Sequence, residues 1–165
     1  MKRVKLLLAE CYANAFIASE IARELSLEAK VRHDVKMGRD KVLKKISALH
    51  RELGENDSII AVIDYEMGPT REFIDRNFEF RDVMFNGTVY VGIYKRDMRV
   101  VAVIFNPYIE EFICKVTGKY CKDGERGTLK HGSVDRVCRE LSRIYVSDSI
   151  KQISRVISSL LEDPA

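Results

Sequence analysis

The sequence predicts an α/β fold, a Rossmann-like three-layer sandwich with helices on both faces of a mostly parallel central sheet. Two observations carry this. Strand-sized apolar runs at residues 4–9 and 58–64 end abruptly in carboxylates, and stretches with helical spacing of apolar residues separate such runs. Strand, helix, strand, helix, strand, helix is the order of a parallel sheet built by right-handed crossovers.

The elements follow in chain order. Residues 4–9 read as a strand covered on both faces. Ala13, Phe16, Ile17, Ile21 and Leu25 recur at three- to four-residue spacing and mark a helix. Residues 28–34 (EAKVRHD) alternate and suit a more exposed strand. Gly38 breaks the chain, and Asp40 is placed to cap a helix buried through Val42, Leu43, Ile46, Leu49 and Leu53. Residues 54–57 (GEND) end it, and Ile59 to Ile63 form the most strand-like stretch. Gly68, Pro69 and Thr70 start a short helix through Phe73, Ile74 and Phe78, and residues 81–88 read as irregular. Residues 89–94 and 99–105 flank a polar turn as a hairpin. Asn106 and Pro107 open a helix holding Ile109, Phe112 and Ile113. Residues 117–132, with four glycines and many charges, read as a loop. Ser133 caps a helix through Val134, Val137, Cys138 and Leu141. Residues 144–146 read as a last strand, and Ser147 or Ser149 caps a final helix from Ile150 to Leu161.

The chain has 165 residues, 46% hydrophobic and 32% charged, the balance of one globular domain rather than a disordered tail. That single domain spans residues 1–165, with a core over about residues 3–113 and a basic loop and C-terminal helices over 114–165. No apolar run approaches the roughly 20 residues of a membrane helix, and the N-terminus runs straight into a strand. The expected location is cytoplasmic, with no membrane partner. One glutamine, no tryptophan and many charges are a compositional hint of a thermophile. The net charge of +3 lies wholly in the C-terminal part: residues 1–111 carry 18 basic and 18 acidic groups, and residues 112–165 carry 10 and 7. A local basic excess permits phosphate contact, and it also suits a solvated surface.

In parallel sheets, sites form where strands end at their carboxyl edge. Glu10 ends the first strand and Asp64 the central one, with Glu66 two residues on. A carboxylate at such a position is costly to bury unless paired or bound to a metal. Three at one edge repel one another unless a hard cation sits among them, and Mg²⁺ takes oxygen ligands while keeping waters. In extended geometry Asp64 and Glu66 face the same way. The competing reading takes Asp64 as a turn cap, Glu66 as solvated and Glu10 as a helix N-terminal charge.

The segments LLLAECYANAF (residues 6–16), Gly38 ahead of the second helix, SIIAVIDYE (58–66) and VVAVIFNPYIEEFI (100–113) resemble the Toprim superfamily, specifically a small branch related to the overcoming-lysogenization-defect nucleases. The resemblance covers roughly residues 4–113 and implies a Toprim-like fold with phosphodiester chemistry on nucleic acid. It implies Mg²⁺ (or Mn²⁺) held by Asp64 and Glu66 with Glu10, Glu10 acting as general acid/base or metal-positioning group. Asn14 and Glu110 are supporting residues, Glu110 at the acidic position of the later motif; His33, at the end of the second strand, shares Glu10's sheet edge in the expected topology, with a surface turn as the other reading. The chain departs from the pattern where Cys11 replaces glycine, Asn14 replaces an acidic residue and Glu66 replaces aspartate.

Lys119, Lys122, Arg126 and Lys130 are candidates for the nucleic-acid backbone, with Tyr120 for base stacking; a solvated loop is the alternative. Cys114, Cys121, His131 and Cys138 have zinc-competent side chains but no knuckle spacing, so core or loop cysteines and a Cys114–Cys121 disulfide are weighed beside zinc. Cys11 near a helix N-terminus would have a lowered pKa, but no histidine is close in sequence to make it a nucleophile. No dinucleotide fingerprint and no phosphate-binding P-loop occur. The rival to a metal-dependent nuclease or phosphotransferase is a catalytically inactive scaffold acting as an interaction or adaptor protein, with a homodimer as one form of it. A flavodoxin-like small-molecule binder is the third.

Overall fold

The computed structural model describes residues 2–32, 38–131, 134–144 and 146–162. Its elements are β1 (Arg3–Ala9), α1 (Tyr12–Glu24), β2 (Lys30–Arg32), α2 (Gly38–Leu49), β3 (Asp57–Asp64), α3 (Pro69–Asn77), β4 (Phe78–Met84), β5 (Val89–Tyr94), β6 (Asp97–Phe105), α4 (Ile109–Thr117), α5 (Asp123–His131), α6 (Val134–Ser142) and α7 (Ser147–Glu162). The six strands form one sheet in the order β2-β1-β3-β6-β5-β4. β2, β1, β3 and β6 run parallel, and β5 and β4 add antiparallel at one edge. The α/β class, the three helix-linked parallel strands and the hairpin across Lys95 and Arg96 are all present.

Residue alternation sorts the strands between two cores. Ile60, Val62, Val101, Val103 and Phe105 face a core shared with α1, α4, α6 and α7 and with Leu129 of α5. Ile59, Ala61, Ile63, Val100, Ala102 and Ile104 face the other, filled by Val42, Leu43 and Ile46 of α2 and Ile74 of α3. All eight residues of β3 are buried, as a central strand covered on both faces demands. The C-terminal helices are built into the first core: Val137, Leu141, Ile150, Ile153, Ile157 and Leu161 are its members. No described helix is long and apolar enough to cross a membrane.

Four local readings are corrected. Residues 81–88 are not all irregular, because β4 continues to Met84; its alternation is interrupted where the register with β5 shifts between Phe80 and Asp82. Gly92 lets β5 approach this strand, since a Cβ there would lie 2.7 Å from the Glu79 carbonyl oxygen. Residues 117–131 are not all loop: α4 closes at Gly118, in the left-handed conformation (φ 71°), a short connection follows, and α5 takes Asp123–His131. Ile144 and Val146 form no strand but are buried in the α6–α7 connection. Helix α2 starts at Gly38, so Asp40 lies in its first turn rather than at a cap. Ser133 and Tyr145 lie outside the described residues.

Candidate functional site at the carboxyl edge

Strands β1, β3 and β6 are adjacent, and their carboxyl ends deliver three acidic side chains to one place. Glu10 follows β1, Asp64 ends β3, and Glu110 sits in the first turn of α4, which β6 reaches through residues 106–108. Each is buried, with 9%, 7% and 4% of its surface exposed. Asp64 pairs in register with Phe105, which fixes the two strand ends side by side.

Hydrogen bonds tie the cluster to the backbone. One Glu10 carboxylate oxygen, Oε2, accepts the Asp64 backbone N–H at 2.7 Å. Oδ1 of Asp64 accepts from Asn14 Nδ2 at 3.2 Å and from the Ile109 backbone N–H, at the N-terminus of α4, at 3.1 Å. The same Asn14 amide reaches the Val62 carbonyl at 3.4 Å, and Cys11 donates its S–H to Asn14 Oδ1 at 2.8 Å. Asn14 is fully buried on the inner face of α1. These bonds do not neutralise the charge. Burial first, then the charges of Glu10 and Glu110, push the Asp64 carboxyl well above the usual carboxylate range, against the pull of Asn14 and Ile109. Burial, followed by the charge of Asp64, pushes the Cys11 thiol up to about 12. The lowered pKa expected of a thiol at a helix start is thus corrected.

The carboxylates that converge are Glu10, Asp64 and Glu110. Glu66 lies beyond the strand in a different backbone geometry. The chain leaves β3 after Asp64, and Glu66 has φ 57°, with its N–H bonded to the Pro107 carbonyl. The extended geometry that would align it with Asp64 is absent. His33 lies outside the described residues. Among the described residues no group of three His, Cys, Asp or Glu is disposed as a ready metal cage. The donor type still suits a hard cation, because Mg²⁺ needs only one or two direct carboxylates and retains water.

A second set of contacts follows directly after the end of β3 and was not foreseen from the sequence. Tyr65, directly after Asp64, is 4% exposed and packs edge-on against Phe80 and Tyr90, with its hydroxyl bonded to Asp75. The Arg71 guanidinium lies over the Tyr65 ring, 4.1 Å from its centroid, and donates to Asn106 Oδ1 at 3.2 Å. Only the acidic strand ends were visible in sequence; this shelf requires α3 to fold back over the end of β3.

The basic segment serves structure in part. Arg126 pairs with Glu111 and donates to the Tyr120 carbonyl at 3.1 Å. Tyr120 packs on the first core and donates its hydroxyl to Glu140 at 2.5 Å; burial and then Glu140 push its pKa up to about 12. This corrects the expectation of a free stacking tyrosine. Lys119 and Lys122 are exposed, and the side chain of Lys130 lies outside the described residues. Cys114 and Cys121 form a disulfide of 2.07 Å, which removes both from a zinc set, while Cys138 is a half-buried free thiol. Comparison of the chain with protein-family models, with curated proteins and with solved structures gave no match.

Proposed function

We propose that this chain is a Toprim-like domain whose carboxyl edge takes a Mg²⁺ or Mn²⁺ ion and acts on, or binds, the phosphodiester backbone of nucleic acid. One observation carries the reading. Three buried carboxylates meet at the ends of three adjacent strands, and Asp64 carries an electrostatic cost that a cation would remove. Carboxyls perturbed in this way cluster at functional sites. When bound, the ion supplies Lewis-acid polarisation of a phosphoryl oxygen and acidifies water.

The chain's own residues prepare that site. Both described donors to the Asp64 side chain act on Oδ1, which leaves Oδ2 for a ligand. Glu10 holds the end of β3 through the Asp64 N–H, so its first role is to position Asp64. Glu110 adds negative charge beside Asp64 from the first turn of α4.

A specific observation favours the second reading, an inactive scaffold used for interaction. Asn14 places an amide donor on Asp64, as a chain without a metal would require. Calorimetric titration of Mn²⁺ into the wild type and Asp64→Asn separates the two. Saturable heat in the wild type that the variant lacks supports the cation site. A folded wild type that takes up no Mn²⁺, alone or with a short oligonucleotide present, supports the scaffold.

A further inference from the structure

We infer that Arg71 is a phosphate-contacting residue, pre-set on the Tyr65 ring to grip the strand whose backbone meets the carboxylate cluster. This inference rests on the nucleic-acid reading above and names the residue that would recognise its anion.

The argument begins with what surrounds the guanidinium. Other arginines at least partly shielded from solvent are neutralised: Arg99 pairs with Asp97 and Arg126 with Glu111. Arg71 is half-buried, and its described hydrogen bonds go to neutral acceptors, Oδ1 of Asn106 and Sδ of Met67 at 3.0 Å. No salt bridge joins it to a described carboxylate, although Asp64 and Glu66 are close in sequence. A half-buried guanidinium whose described hydrogen bonds go only to neutral acceptors has its complement in an anion brought from outside.

Geometry supplies the second part. Tyr65 cannot swing, because Phe80, Tyr90 and Asp75 fix its ring and hydroxyl. The guanidinium stacked on it loses little further freedom on binding, which favours affinity. Arg71 also spans the two strand ends that supply the carboxylates. Tyr65 follows β3 and Asn106 follows β6, the residues just beyond Asp64 and just ahead of α4 with Glu110. A planar fork of five N–H donors, with two contacts to weak or neutral acceptors, matches the paired oxygens of a phosphodiester.

The test is binding of fluorescein-labelled oligonucleotides of about 20 residues, as single-stranded DNA, duplex DNA and single-stranded RNA, followed by anisotropy from about 50 to 200 mM salt. For the form the wild type binds best, Arg71→Gln should weaken affinity about tenfold and reduce the slope of log affinity against log salt by about one. Arg71→Lys should keep the slope and lose about threefold in affinity, since the charge remains and the stacked fork does not. A purely structural Arg71 would lower the melting temperature of Arg71→Gln and leave the slope at the wild-type value; that result overturns the inference. So does an Arg71→Lys variant indistinguishable from wild type. Wild-type protein that binds none of the three forms removes the nucleic-acid reading and this inference together, whereas wild-type binding with unaltered variants removes this inference alone.

Discussion

The two ends of the parallel sheet treat acidic residues in opposite ways. At the amino end, Asp57 begins β3 and meets Arg3 at 3.0 Å, Lys5 at 3.1 Å and the Gly54 N–H at 3.1 Å. Asp97 begins β6 and meets Arg99 at 2.7 Å and His50 Nδ1 at 3.1 Å, while Arg99 also donates to the carbonyls of Leu53, Gly54 and His50. Burial alone would raise the Asp97 pKa, yet hydrogen bonds from Arg99 and His50 hold it down to about 2. Asp57 is likewise lowered, Lys5, Gly54 and Arg3 outweighing its burial. At the carboxyl end Asp64 goes the other way, with carboxylates for neighbours. One end of the sheet sets its acids against cations of the chain, whereas at the other Asp64 has carboxylates for neighbours.

The pH dependence of stability follows with opposite signs. Asp97 has a lower pKa folded than unfolded, so its contribution is present above the ordinary carboxylate range and is lost as pH falls through that range toward about 2. Asp64 has a higher pKa folded than unfolded. The native state keeps a proton that the unfolded chain releases, and stability declines as pH rises above the ordinary carboxylate range.

The largest effect that would break this contrast is at the amino end. Asp97→Ala strips Arg99 and His50 of their shared partner and should cost about 3 kcal/mol, read as a lower urea midpoint at unchanged slope. A cost below about 0.5 kcal/mol would mean that the amino-end network holds little. Asn14→Asp comes next. It replaces the amide donor on Asp64 with a further buried carboxylate and should cost about 2 kcal/mol at pH 8, less at pH 4, while strengthening Mn²⁺ binding in calorimetry. The smallest effect has the opposite sign. Asp64→Asn keeps an oxygen for Asn14 and Ile109 but loses the charge, so it should stabilise the protein by about 1 kcal/mol in EDTA at pH 8. Its stability should stay level where the wild type declines with pH, and Mn²⁺ should raise the melting temperature of the wild type alone. Asp64→Asn as destabilising as Asp97→Ala would erase the distinction between the two ends.

Much of this was readable in the chain because it depends on local pattern. Apolar runs interrupted by carboxylates at Glu10 and Asp64 placed the strand ends, and helical spacing placed α1, α2 and α7. The β4 edge strand escaped because the register shift near Arg81 breaks its alternation and Val83 is 54% exposed, so no apolar period survives. Helix α5 escaped because Gly124 and Gly127 disfavour helix locally; the neighbouring Cys114–Cys121 link and the Arg126–Glu111 pair anchor its start on α4.

The sequence by itself determined which residues are apolar, where the strands stop, and that acidic groups stand at those stops, since these are properties of neighbours along the chain. Only the tertiary structure decided which acids meet. Glu66, two residues from Asp64, sits in a left-handed backbone conformation rather than an extended one, while Glu10 and Glu110, 54 and 46 positions distant, are brought to Asp64 by the order β1-β3-β6. The same folding set Asn14 against Asp64 and Arg71 on Tyr65. Charge interactions depend on distance through space and on burial, and neither is a function of separation along the chain.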